Sequence, residues 1–203
     1  MSQPSLVRRV LARGGRTLVG AALAAATAGC SGDAATAPTG VEPALRKEIV
    51  NPAVYASVLV RTRPILFLQK TSAMIGPDGG SLSLPGAGLK VVVPAGAVAR
   101  TTRISVSAYP GLLVAYGFEP HGVRFQVPLS VTQDLTYTLP LSLVGGTGYE
   151  GGYVADESTL DQNHAQALVN EFVPTTVAPD GTAVTIAVSH FSGYIIATGR
   201  GGY

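Results

Sequence analysis

Tryptophan is absent from this chain, cysteine occurs once, and only 13 % of the residues are charged. A lone cysteine excludes an intramolecular disulfide, so a folded domain must hold together by burial alone. The scarcity of charge leaves no clustered lysine and arginine of the kind a nucleic-acid surface needs. Also missing are zinc-site spacings, the glycine loop that cradles phosphates and the Gly-x-Ser-x-Gly elbow of hydrolases. There is no internal repeat and no coiled-coil period. What is present is 25 glycines, 14 prolines and 46 % hydrophobic residues. That mixture suits short strands joined by many turns better than it suits helices.

The formal charge of +2 is misleading, because Arg8, Arg9, Arg13 and Arg16 all precede residue 17. Setting those four aside leaves ten basic against twelve acidic residues. The arginines belong to a basic stretch, "MSQPSLVRRVLARGGR", followed by the thirteen-residue apolar run "TLVGAALAAATAG". A run of that length is too short to span a bilayer as a helix, which needs about 20 residues, and reads as a signal peptide. It leads directly to Cys30. The "TAGC" around that cysteine resembles the lipobox of bacterial lipoproteins, with Thr27 where that family more often has leucine. The resemblance implies that residues 1–29 are removed and that Cys30 is acylated. The partner is then a lipid bilayer, held by buried CH₂ groups. Ser31, in place of the aspartate that favours inner-membrane retention, points to the outer membrane. The alternative is an ordinary signal peptide with Cys30 as a stray thiol. "RRVLAR" also looks like a twin-arginine signal, although a plain basic region accounts for it. Residues 30–44, small, polar and proline-containing, read as a flexible tether.

Residues 45–198 are expected to form one all-β domain, an antiparallel β-sandwich, with 199–203 as an exposed tail. "LRKEIVNP" reads as one helical turn stopped by Pro52. "VYASVLV" and "ILFLQ" are candidate strands on either side of Pro64. "GPDGG" and "APDGT" are turns, with glycine supplying positive φ. Leu89, Val91 and Val93 alternate with Lys90 and Val92, and Ile104, Val106 and Ala108 with Arg103, Ser105 and Ser107. Val123, Phe125, Val127, Leu129 and Val131 fall on one face of the clearest strand. Pro128 lacks an N–H and places that strand at an edge or a bulge. The alternation continues through Leu135, Tyr137, Leu139, Leu141 and Leu143. "VGGTGYEGGYVADESTLDQNHAQ" reads as a hairpin near Tyr153 and a long loop, and "QALVNEF" as either strand or short helix. "AVTIAVSHFSGYIIA" is expected to be the final strand, with Val184, Ile186 and Val188 inward.

The segments "IGPDGGSLSLPGAGLKVVVPAGAV" and "PHGVRFQVPLSV" resemble the ZU-five domain, the β-sandwich of ankyrins, zonula-occludens proteins and netrin receptors. The matching features are Gly79-Gly80, Leu89 to Ala97 and Pro120 to Leu129, within Ile75 to Leu135. The resemblance implies an antiparallel sandwich with a non-enzymatic docking role. The partner this implies here is an envelope protein of unknown identity, without cofactor or metal.

Some members of that family cut their own chain between Phe and Ser of a His-Phe-Ser motif, which here is His190, Phe191 and Ser192. Ser192 Oγ would attack the Phe191 carbonyl with His190 as base. In an extended strand the two side chains would share a face, about 6.5–7 Å apart at Cα. Gly193 departs from the bulky aromatic that follows the serine in cleaving relatives. The plainer reading is a closing strand. Three further features each carry two readings. His121, at a turn, is either a ligand or a turn-bonding side chain. Asp156, Glu157 and Asp161 offer oxygens for Ca²⁺ but lack EF-hand spacing, so a solvated loop is preferred. Tyr149 and Tyr153 offer aromatic surface for sugar or peptide contact, or else one of them packs into the core.

Overall fold

The computed structural model describes residues 52–201. The expected signal peptide, Cys30, the tether, the turn over 45–51 and the last two residues lie outside them. No helix among the described residues is long and apolar enough to cross a membrane.

The chain runs through β1 (Val54–Val58), β2 (Val60–Ile65), β3 (Gln69–Ile75), β4 (Gly80–Leu84) and β5 (Leu89–Val93). Next come β6 (Thr102–Ala108), β7 (Gly111–Leu113), β8 (Ala115–Glu119) and β9 (Arg124–Asp134). After α1 (Leu141–Val144) follow β10 (Glu150–Val154), β11 (Gln166–Val169), β12 (Glu171–Val173), β13 (Thr175–Val177), β14 (Ala183–His190) and β15 (Gly193–Arg200). One sheet has the order β13-β14-β9-β5-β4; the other runs β11-β1-β15-β8-β6-β3, with β10 also on β15 and β12 on β10. A short ribbon pairs β2 with β7. The fold is the expected antiparallel β-sandwich.

The core forms where the inward positions of the two sheets meet. Leu89, Val91, Val93, Leu129, Val131 and Ile186 come from one sheet, and Ile104, Val106, Phe118, Tyr194 and Ile196 from the other. The alternation read from β5 is therefore an inward-outward alternation, as one-sided burial dictates. A second apolar cluster lies on the far face of the larger sheet, where Ile195 and Ala197 join Ala56, Val58, Leu113, Val154 and Val169. β15 is thus covered on both faces, which explains why "YIIA" is continuously apolar instead of alternating. Its ladder takes β10 over Gly193 to Ala197 on one edge, and β8 then β1 on the other.

Several expectations are corrected. The final segment is two strands, because β14 belongs to the smaller sheet and β15 to the larger, and the chain crosses between layers at Phe191 and Ser192. Residues 199–203 are not simply a tail: Gly199 and Arg200 pair with Ser57 and Ala56. The alternation over 135–143 is not a strand, for Pro140 begins the single turn α1 and Gly145, at φ 65°, ends it. Tyr137 and Leu143 are left 70 % and 73 % exposed. β2 stops at Ile65, so Leu66, Phe67 and Leu68 form an exposed connection instead of a strand. Val127 is also exposed. β9 is an interior strand, yet its register against β14 shifts so that Ser189 alone spans the stretch occupied by Phe125 to Pro128. Pro128 sits in that bulge, where its missing N–H breaks no ladder bond. "QALVNEF" divides into β11 and β12.

The glycines near Tyr153 make no hairpin tip. Gly151 and Gly152 lie inside β10, paired with β15 on one side and β12 on the other. A Cβ on Gly151 would lie 2.5 Å from Ile186 Cγ2, and one on Gly152 2.9 Å from Val169 Cγ2. Both positions need glycine because neighbouring side chains close on each face of the strand. Turn glycines behave as expected elsewhere: Gly79, at φ 82°, donates its N–H to Gly76 O.

The acidic residues of the loops shape turns. Oδ1 of Asp134, Asp156, Asp161 and Asp180 accepts the backbone N–H two residues on, at 2.8, 2.9, 2.8 and 3.0 Å. This is the local bonding that suits aspartate to turns.

Candidate functional site

The strand crossing gathers the His-Phe-Ser residues at one corner. Phe191 is 2 % exposed. Its ring stacks on Phe118 with centroids 5.6 Å apart and meets Phe125 edge-on at 4.5 Å. Its N–H donates to Val123 O at 2.9 Å, and its carbonyl accepts from Gly122 N–H at 3.3 Å. The Ser192 carbonyl accepts from Phe118 N–H at 3.0 Å. The backbone is therefore tied on both sides of the Phe191–Ser192 bond.

His190 is held from other directions. Its ring meets Tyr153 edge-on at 4.6 Å. Tyr194 Oη donates to the His190 carbonyl at 2.8 Å and lies 3.3 Å from His190 Nδ1. His190 Nε2 lies 3.8 Å from Glu171 Oε2. Burial first, then the charge of Glu171, pushes the Tyr194 phenol above its ordinary range, so it remains a donor at neutral pH. Among the described residues no hydrogen bond joins the Ser192 hydroxyl to the His190 ring. The structure brings His190, Phe191 and Ser192 together without coupling the histidine to the serine. His121 lies with Arg124 and Glu171 on the rim of the same shallow depression.

Tyr149 and Tyr153 are half-buried and pack against the main core. Of the two alternatives for these tyrosines, Tyr153 takes the packed one: it belongs to a strand flanked on both edges and closes over His190. The acidic loop offers no cation cage either: Asp156 caps the turn at Ser158, Glu157 accepts from Tyr109 Oη, and Asp161 faces His164 Nδ1 at 2.6 Å. Among the described residues no group of three or more metal-ligating side chains converges.

A different constellation carries the clearest binding geometry. A cleft of ≈ 580 Å³ opens beside β2, lined by Arg61, the connection from Leu66 to Leu68, Ala87, Gln133 and Tyr137, among others. Leu66, Phe67 and Leu68 are 73 %, 80 % and 53 % exposed. Arg61, in contrast, is 6 % exposed. Its Nη1 donates to Ala87 O at 2.6 Å and its Nη2 to Tyr116 Oη at 3.0 Å. Tyr116 Oη donates to Gln133 Oε1, and Gln133 Nε2 donates to Ala87 O at 3.3 Å. Gly88, in the left-handed region at φ 68°, ends the turn over Pro85–Ala87, and a Cβ there would lie 2.9 Å from Gln133 Nε2. Burial pushes the Tyr116 phenol up, and the guanidinium offsets part of that.

Every acceptor around Arg61 is neutral. Arg61 Nε is buried without a hydrogen-bond partner, and among the described residues no ion pair joins Arg61 to a carboxylate. Asp134 lines the same cleft, but its carboxylate turns to Thr136, whose hydrogen bonds hold it below the usual range.

Sequence reasoning missed Arg61, Tyr116 and Gln133. One signal was available for Gln133: it has the same parity as Leu129 and Val131, which marks it as inward and in need of partners. Nothing local distinguishes Arg61 from the exposed Arg63 two residues on. Comparison with protein-family models and with curated proteins gives no match to this chain.

Proposed function

We propose that this chain is a non-enzymatic binding module of the bacterial cell envelope, related to ZU-five domains and held on a membrane through an acylated Cys30. The observation that carries the binding role is the apolar connection Leu66–Phe67–Leu68, exposed together with Tyr137 at the mouth of the ≈ 580 Å³ cleft. Soluble domains seldom present adjacent large apolar side chains to water unless something covers them, and clefts of this size are typical ligand sites. The lipid anchor rests on the sequence around Cys30. The small and polar residues that follow Cys30 read in sequence as a tether between the anchor and the domain.

The test has two arms. Cells expressing the full chain are fed a clickable fatty acid, and the membrane fraction is probed for labelled protein. Label and membrane retention should both vanish in Cys30→Ser. Unlabelled protein of unchanged mass would refute the anchor. Separately, an environment-sensitive apolar dye should bind the wild-type cleft and lose most of its signal with Phe67→Asp; an unchanged signal would refute the binding site.

Self-processing at Phe191–Ser192 is the second reading, favoured by one observation. The Gly122 N–H already donates to the Phe191 carbonyl, the polarisation that attack by Ser192 would require. Intact mass under denaturing conditions decides it. Loss of Ser192 to Tyr203, abolished by Ser192→Ala, supports cleavage, and a single uncleaved species removes it.

A further inference from the structure

The cleft beside β2 joins two features that seldom occur together. Its mouth is apolar, from Leu66, Phe67, Leu68 and Tyr137, and its wall includes the buried arginine Arg61. A guanidinium has five N–H donors. Two bonds are accounted for, to Ala87 O and Tyr116 Oη, and both acceptors are neutral. The Nε edge is unpartnered. Burying a charge without a counter-charge is unfavourable, so buried arginines ordinarily meet a carboxylate or a phosphate. The one carboxylate of this cleft, Asp134, is committed to Thr136.

We infer that this cleft binds an anionic amphiphile, a carboxylate or phosphate group borne on an alkyl chain, with the head drawn to the buried, uncompensated guanidinium of Arg61 and the chain against Leu66, Phe67, Leu68 and Tyr137. This rests on the binding role proposed above and supplies its ligand class. Planar guanidinium and two-oxygen anions pair through parallel N–H···O bonds, which a neutral hydroxyl head cannot reproduce. The surrounding network prepares the site. Gln133 donates to Ala87 O and accepts from Tyr116 Oη, which itself accepts from Arg61, so Arg61 is oriented before a ligand arrives. Preorganisation of this kind lowers the ordering cost of binding.

The experiment titrates the full chain, held in lipid nanodiscs, with octanoate, octyl phosphate and octanol, subtracting empty discs at each step. Both anions should bind at least about tenfold more tightly than octanol, the size expected from one charge-assisted hydrogen bond. A preference between octanoate and octyl phosphate separates a fatty-acid ligand from a lipid phosphate. Arg61→Met should erase the discrimination against octanol. Arg61→Lys, which keeps the charge and loses the fork, should retain only part of it. Circular dichroism confirms that each variant is folded. Because Arg61 also supports the core, Phe67→Ser provides an independent arm: it should weaken octanoate and octanol alike. Equal affinity for octanol and the anions, or discrimination that survives in folded Arg61→Met, would overturn the assignment. Such a failure is distinct from failure of the anchor, which Cys30→Ser reads out through membrane retention alone.

Discussion

The ring of Phe191 lies parallel to that of Phe118, their centroids 5.6 Å apart and their planes 13° from coplanar. One residue belongs to the crossing between the sheets and the other to β8, so the contact pins the corner at which the chain changes layer. Phe191→Ala should destabilise the domain by about 3–5 kcal/mol, the usual cost of removing a buried aromatic side chain. Chemical denaturation would measure it. Ser192→Ala at the adjacent position should cost under about 1 kcal/mol, since its hydroxyl has no hydrogen-bond partner among the described residues.

Gly151 and Gly152 give a second test, because their role is closeness and not backbone freedom. Gly151→Ala should cost about 1–3 kcal/mol through overpacking against Ile186. In the double variant Gly151→Ala with Ile186→Ala, which removes the crowding Cγ2, the combined loss should be smaller than the sum of the single losses, and a thermodynamic cycle would report the coupling. A loss unaffected by the size of residue 186 would contradict the packing account.

Acid should unfold the domain through its turns. The carboxyls of Asp134, Asp156, Asp161 and Asp180 are all held below their ordinary range by hydrogen bonds from Thr136, Ser158, His164 and Thr182. A depressed folded pKa adds stability that is complete above the unfolded value, about 3.9, and disappears as pH falls through the folded value. Tm should therefore be level above about pH 5 and fall below about pH 4. Asp180→Asn should make the acid limb shallower, which a pH series of melting curves would detect.

Gln133→Leu should cost about 1–3 kcal/mol, because Tyr116 Oη loses its acceptor inside the core. Adding Tyr116→Phe should not restore it, because Arg61 Nη2 then loses its own buried acceptor. Urea denaturation of the four species of the cycle provides the measurement.

The sandwich was legible wherever one face of a strand is buried and the other wet. β5 and the second half of β9 follow the alternation residue by residue. It failed where physics other than one-sided burial governs. β15 is covered on both faces, so its run lacks a period, and its apparent phase with β14 conceals a change of sheet at Phe191. The leucines from 135 to 143 alternate by coincidence, overridden by Pro140. The glycine pair at 151 and 152 resembles turn chemistry but answers to Ile186 and Val169, contacts far away in the chain. The candidate site was less legible still. The His-Phe-Ser corner was found, but the Arg61 network joins residues 17 to 55 positions apart and no short spacing announces it.

β15 has one consequence for how the molecule is made. The strand that touches β1, β8 and β10 is the one the ribosome delivers after all three. Until it arrives, the larger sheet has an empty slot at its centre and both apolar clusters stand open. A nascent chain of this kind cannot complete its larger sheet until that last stave is in place.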